Sequence, residues 1–273
     1  MALRRVKLTN QTRVLFYIRG LLAGIPISAK TPKQGASLME LKTAPNIVKK
    51  GLKIARLEEG KKSFTIAVEG NIGSGKTTLL EYFKSSPNVE AIREPLEQWT
   101  NVQGHNALGL LYQDPSRWSF SFNMYATLTR VQMHTKQSEK PIKMLERTLH
   151  STRYCFVEND FRNKTINGLE YAVVTEWFNW LTASQKINID LIVYLQCNPE
   201  VCFKRIKKRD RREEDGVPKK LIEDLHNLHE EWLVEQKYFK APAPVLILDA
   251  NQDYEDLVKD YDLKRQKILC GYS

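Results

Sequence analysis

The sequence predicts an α/β domain of the doubly wound kind, a five-stranded parallel sheet with helices on both faces. Three observations predict it. Short apolar runs alternate with helix-period segments from Phe64 onward. The apolar runs read as buried strands, as in a parallel sheet covered on both sides. A glycine-rich turn joins the first run to the first helical segment.

Taken in order, the expected strands are residues 64–69, 89–93, 142–146, 191–196 and 245–249. Between them, helical periodicity covers residues 76–83, 115–134, 169–186, 199–209, 221–236 and 254–269. In this class of sheet, ligands gather at the carboxyl ends of the strands. Trp177 and Trp180 fall within a helical apolar stripe and are expected in the core.

Residues 1–60 read differently from residues 61–273. The first fifty hold ten Lys or Arg against one acid, Glu40, and so carry +9 of the chain's formal +10. The remaining +1 is not the footprint of a nucleic-acid-binding domain. An acid-poor leader with Arg4, Arg5, Arg13 and Arg19 spaced among apolar residues has the composition of a mitochondrial transit peptide, which implies a matrix location. A secretory signal or a plain basic tail are the rivals. No apolar run reaches the roughly 18 residues of a membrane span. Cys155, Cys197, Cys202 and Cys270 lack the paired spacing of a zinc site or disulfide framework, as in a reducing compartment.

The most specific segment is Gly70-Asn71-Ile72-Gly73-Ser74-Gly75-Lys76-Thr77, followed by Thr78. It matches G-x-x-x-x-G-K-[ST] between a strand and a helix, the context a phosphate-binding P-loop requires. Backbone N–H groups and a helix amino terminus would cradle phosphates, Lys76 would add a point charge, and Thr77 would offer Mg²⁺ a hydroxyl. No NKxD-type guanine reader is present, and the size suits a small-molecule or nucleotide kinase.

Glu94 follows the second strand, where a carboxylate could accept a hydroxyl proton. Glu146 and Arg147 end the third strand at the same rim, an acid for Mg²⁺ and a guanidinium for transferring charge. Arg205, Arg209, Arg211 and Arg212 cluster before Glu214 like an Arg-rich lid. His226, His229 and Glu230 share one helix face; without a third ligand at metal spacing, a packing or surface role is expected.

In order along the chain stand GNIGSGKTT, EPxxxW, YxDPxxW, ER[ST], RYxFVEN and LHxxHEEWL. These motifs, from residue 64 to residue 269, resemble the deoxyribonucleoside kinase family. The resemblance implies a P-loop kinase that moves the γ-phosphate of ATP, with Mg²⁺, to the 5′-hydroxyl of a deoxyribonucleoside. It implies Glu94 as general base and 5′-hydroxyl ligand, Glu146 as the Mg²⁺-associated carboxylate and Arg147 as the brace of the 5′ end. It implies Tyr112 and Glu214 at the sugar 3′-hydroxyl, and Trp99, Phe122 and Phe156 about the base. Arg205, Arg209 and Arg211 match lid positions. Gln252, Asp253 and Tyr254 match the loop beside the donor adenine. A homodimer is also implied.

The chain departs from the family pattern at several positions. Thr148 stands for Ser in the Glu-Arg-Ser motif, and Asn123 for the Gln that reads the base. Ala126 and Arg130 replace larger apolar residues of thymidine-type members. Thr152 stands where relatives with such an Arg carry its Asp partner, leaving Arg130 to turn towards the base or to fold away. Smaller residues at 123 and 126 would favour purines alongside thymidine and deoxycytidine. A thymidylate-type nucleoside monophosphate kinase and an inactive nucleotide-binding protein are the alternative functions.

Overall fold

The computed structural model describes residues 63–214 and 216–272. The basic leader and its expected boundary at residue 60 lie outside the described residues. Five strands form one sheet: β1 Phe64–Gly70, β2 Val89–Ile92, β3 Ile142–Glu146, β4 Leu191–Gln196 and β5 Val245–Asp249. Their order is β2-β3-β1-β4-β5, and all four pairings are parallel. All five expected strands are present, within a residue at each end.

The topology fixes where a ligand can sit. The chain leaves β1, forms α1 Lys76–Lys84 and enters β2 beyond β3; later it returns to β4 on the opposite side of β1. The winding therefore reverses between β1 and β3, opening a crevice at their carboxyl ends. Val68 pairs with Glu146 in the register, so the P-loop after β1 and the Glu146-Arg147 corner after β3 are neighbours by construction.

Alternation along the strands divides the core between the two faces. Ile66 and Val68 pack with Leu79, Phe83, Met144 and Val193 on one side of the sheet. Ala67, Ile192 and Tyr194 meet Leu225, Trp232 and Leu233 on the other. Both layers exclude water, as the apolar runs require.

Two short helices precede the long one: α2 Leu96–Thr100 and α3 Ala107–Gln113. Neither is long enough to display a helical period, and neither is expected from the sequence. The long helix α4 is Pro115–Thr135, with Pro115 in the first turn and the Asp114 side chain accepting from Arg117 N. A further unanticipated helix, α5, runs over 149–162. The Thr148 hydroxyl caps it, and its middle, Thr152–Val157, is wound as a π-helix. Then follow α6 Gly168–Ser184, α7 Pro199–Arg209, and α8 at 219–234, whose last turn Glu230–Val234 is again π-wound. The expected 254–269 helix is broken at Lys264 into α9 Tyr254–Leu263 and α10 Arg265–Ile268.

One core expectation fails. Trp177 and Trp180 are 46% and 54% exposed. Val174, Phe178 and Leu181 make the buried stripe of α6, and this spacing turns both tryptophans outward.

Candidate active site

The glycines of the P-loop are demanded by its geometry. Gly73 has φ +79°, and a Cβ there would lie 2.6 Å from the Cys202 carbonyl oxygen of α7. A Cβ on Gly70, φ +147°, would lie 2.8 Å from the Leu195 carbonyl oxygen. The loop is thus pressed against backbone on both flanks, where no side chain fits. Asn71 anchors it by donating from Nδ2 to Ile222 O at 2.7 Å, and Ser74 is buried behind it.

Lys76 arches over the loop and donates from Nζ to Asn71 O at 2.7 Å. Burial, with Arg147 nearby, pulls its ammonium down to about 8, against the pull of Glu146 and Glu94. A buried cation held by a carbonyl beside the loop is suited to a phosphate. Thr77 Oγ1 donates to Glu146 Oε1 at 2.7 Å, so two hard oxygen ligands, one from the start of α1 and one from the end of β3, meet beside the loop. That donor set fits a Mg²⁺ ion.

A second cluster stands at the floor. Arg147 is 2% exposed and holds a left-handed backbone, φ +63°, that a non-glycine residue rarely adopts. That turn swings its guanidinium over the Phe156 ring, 4.8 Å from the centroid, with Nε 3.3 Å from Glu94 Oε1. Its Nη1 donates to His229 Nε2 at 3.4 Å, while His229 Nδ1 donates to Leu225 O. Burial and then Arg147 press His229 well below the ordinary histidine value, so the ring is neutral and able to accept. His229 thus has the packing role expected of it, with a bond to Arg147 that its sequence neighbours do not signal.

Arg130 approaches Glu94 from the other side. Its Nη2 donates to Glu94 Oε1 and its Nη1 to Thr152 Oγ1. Arg130 thus pairs with Glu94 and with Thr152, which is 1% exposed, while still lining the cavity. Burial alone would raise the Glu94 carboxyl, but Arg147, Arg130 and Lys76 outweigh it and hold the group below the ordinary carboxylate value.

A cavity of about 670 Å³ runs from the P-loop residues Gly73, Gly75, Lys76 and Thr77 past this cluster into an aromatic chamber. Trp99, Tyr112, Phe122, Asn123, Ala126 and Phe156 form its walls. Trp99 Nε1 donates to Thr129 Oγ1 at 3.0 Å, and its ring meets Phe122 edge to face, so the wall is held rigidly. Arg205, Arg209 and Arg211 border the cavity too. Glu214 is taken up by Arg209 and Arg211, the latter at 2.8 Å, and lies close enough to Tyr112 that burial and Glu214 together push the phenol up. Arg205 is tied by its guanidinium to the carbonyls of Ala250 and Gln252, both at 2.8 Å. It thereby fixes the loop with Gln252, Asp253 and Tyr254, which lies off the main cavity.

Two residues of this region were missed from sequence. Asp160 lines the cavity and accepts from Asn123 Nδ2 at 2.7 Å. Glu69, buried beside Arg147, accepts from the Thr148 hydroxyl at 2.7 Å, so position 148 needs a hydroxyl both for this bond and for its cap. Asp160 carries no motif of its own. Glu69 is one residue short of the P-loop and reads simply as strand.

Fold and site together define a class, the P-loop phosphotransferases, here with a closed chamber for a hydroxyl-bearing acceptor. The family model "Deoxynucleoside kinase" matches residues 66–268. Mitochondrial thymidine kinase 2 of Homo sapiens is 43% identical over 212 residues, 78% of this chain and 80% of that protein. Deoxycytidine kinase of Mus musculus is 35% identical over 228 residues, 72% and 88% respectively. Deoxycytidine kinase 2 of Gallus gallus is 36% identical over 221 residues, 70% and 83%. The chain belongs to the deoxynucleoside kinase family, and is a kinase that transfers phosphate to a hydroxyl group.

Proposed function

We propose that this kinase transfers the γ-phosphate of ATP to the 5′-hydroxyl of deoxyribonucleosides in nucleotide salvage, with Glu94 as the group that receives the hydroxyl proton. The observation that carries this assignment is the position of Glu94 between Arg130 and Arg147, where the phosphate loop meets the aromatic chamber. Held low, Glu94 is ionised at neutral pH and ready to accept. It is a weak base, and a loose phosphoryl transition state asks for little more, because the proton leaves late. Arg147 orients the same carboxylate and faces the developing negative charge. Tyr112 and Glu214 hold the sugar 3′-hydroxyl, while Trp99, Phe122 and Phe156 clasp the base.

Thr77 and Glu146 would hold Mg²⁺, which when bound neutralises charge on the β- and γ-phosphate oxygens. Lys76 and the P-loop N–H groups grip the same phosphates, and Arg209 and Arg211 close over them from the lid. Residues 61–273 constitute the kinase domain. Residues 1–60 direct it to the mitochondrial matrix, a reading supported by their composition and by the mitochondrial relative. A homodimer is supported by α4 and α6, which pack together and leave Leu128, Trp177 and Trp180 exposed.

The chamber admits purines as well as pyrimidines, since Asn123 and Ala126 take less room than the family's larger residues. A coupled assay with four deoxyribonucleosides and thymidylate tests the acceptor. Phosphorylation of the nucleosides and not of thymidylate is expected; transfer to thymidylate alone would replace this assignment with a monophosphate kinase.

A further inference from the structure

Asp160 stands at the end of the chamber opposite the phosphate loop. The long helix sets the scale. Arg130 meets Glu94, and Asn123 lies two turns back along α4, about 10 Å at 1.5 Å per residue, which is room for a sugar and a base. There Asn123 is 3% exposed and gives its amide N–H to Asp160 Oδ2 at 2.7 Å. The other carboxylate oxygen has Asn159 Nδ2 at 3.4 Å, with the Ser119 and Thr165 hydroxyls close by. Both Asn123 and Asp160 face the cavity.

The hydrogen-bond inventory of this end is lopsided. A carboxylate offers about four lone-pair sites and the Asn123 carbonyl oxygen about two more; the amides of Asn123 and Asn159 fill two of these, and a single N–H of the Asn123 amide remains. Burial raises the Asp160 carboxyl, while hydrogen bonds from the Asn123, Asn159, Ser119 and Thr165 side chains pull the other way. Arg130 cannot correct the balance, since its terminal nitrogens are committed to Glu94 and Thr152.

We infer that Asp160 is a specificity-determining residue that reads the base edge, selecting guanine, whose N1–H and N2–H₂ present adjacent donors to a carboxylate. Thymine offers one N–H between two carbonyls, and would set a carbonyl against the anion. Adenine and cytosine, each with one amino group beside a ring acceptor, fall between. This inference rests on the nucleoside assignment of the chamber.

The test deletes the donor from the ligand and the acceptor from the protein. kcat/KM is measured for deoxyguanosine, for deoxyinosine, which lacks only the 2-amino group, and for thymidine, in the parent and in Asp160→Leu and Asp160→Asn. The parent should favour deoxyguanosine over deoxyinosine by about tenfold or more, the worth of a charge-assisted hydrogen bond. Asp160→Leu should bring that ratio near unity. Asp160→Asn preserves shape and so guards against misfolding, and should keep about a third of the preference or less. Equal use of deoxyguanosine and deoxyinosine by the parent, or an unchanged ratio in either folded variant, would overturn the role of Asp160 while leaving the kinase assignment standing. A parent that phosphorylates no deoxynucleoside would overturn both.

Discussion

The two ends of the cavity are built by different means. At the phosphate end, eight consecutive residues wrap a loop whose glycines are pinned against Leu195 and Cys202 backbone, and the strained turn at Arg147 sits one pairing register away. Geometry there is imposed by main chain. At the base end, side chains alone decide: Asn123 and Ala126 come from α4, Phe156 and Asp160 from α5, Trp99 from α2. A main-chain cradle serves any triphosphate, whereas a wall of side chains can be retuned one residue at a time. The contrast teaches that reaction and specificity are separable in this fold.

Breaking the phosphate end should have the largest effect. Lys76→Ala is expected to lower kcat/KM for ATP by about 10³-fold, as when one preorganised charge contact to a transition state is removed. Steady-state kinetics at saturating nucleoside measure this; a loss of less than about tenfold would deny Lys76 its phosphate contact. Arg147→Met comes next, with kcat down about 10²-fold and nucleoside affinity nearly kept, because Arg147 acts on Glu94 and on developing charge.

The pH profile sharpens the comparison. Lys76 must be protonated to grip phosphate, so kcat/KM for ATP should fall about tenfold per unit as pH rises above about 8, where the free enzyme loses that proton. The acidic limb has the opposite sign. Glu94 must be ionised, and activity falls as pH drops through its lowered value. Arg130→Met removes one of the cations holding it low, and should move that limb to higher pH. An unmoved acidic limb would mean that Glu94 does not govern it. At the base end the effect should be smaller: Ala126→Val should cut the purine-to-thymidine ratio of kcat/KM by about tenfold, the scale of a methylene or two in an apolar pocket.

The same division governs what can be read from sequence. All five strands are visible because each is a short, largely apolar run between helix-period segments. The P-loop is visible because its ligands are contiguous, and Glu94, Glu146 and Arg147 because they end strands whose carboxyl edges share one rim. Asp160 is invisible by the same logic. It lies 37 residues from Asn123, and their meeting depends on how α4 packs against α5. The π-winding of Thr152–Val157, which shifts the phase of every later residue on α5, has no signature in periodicity. Trp177 and Trp180 mislead because they are apolar neighbours of the buried stripe Val174, Phe178 and Leu181 without lying on it.

The central claim is that Glu94 takes the proton of an acceptor hydroxyl in a nucleoside chamber. Glu94→Gln keeps the volume and hydrogen-bonding reach of the side chain and removes its capacity to take a proton. Deoxynucleoside affinity by calorimetry and kcat by coupled assay should be measured on the same preparation. Affinity should stay within about threefold while kcat falls by about 10²-fold or more, as removal of a general base predicts. Near-normal turnover in a variant that still binds nucleoside would contradict the account.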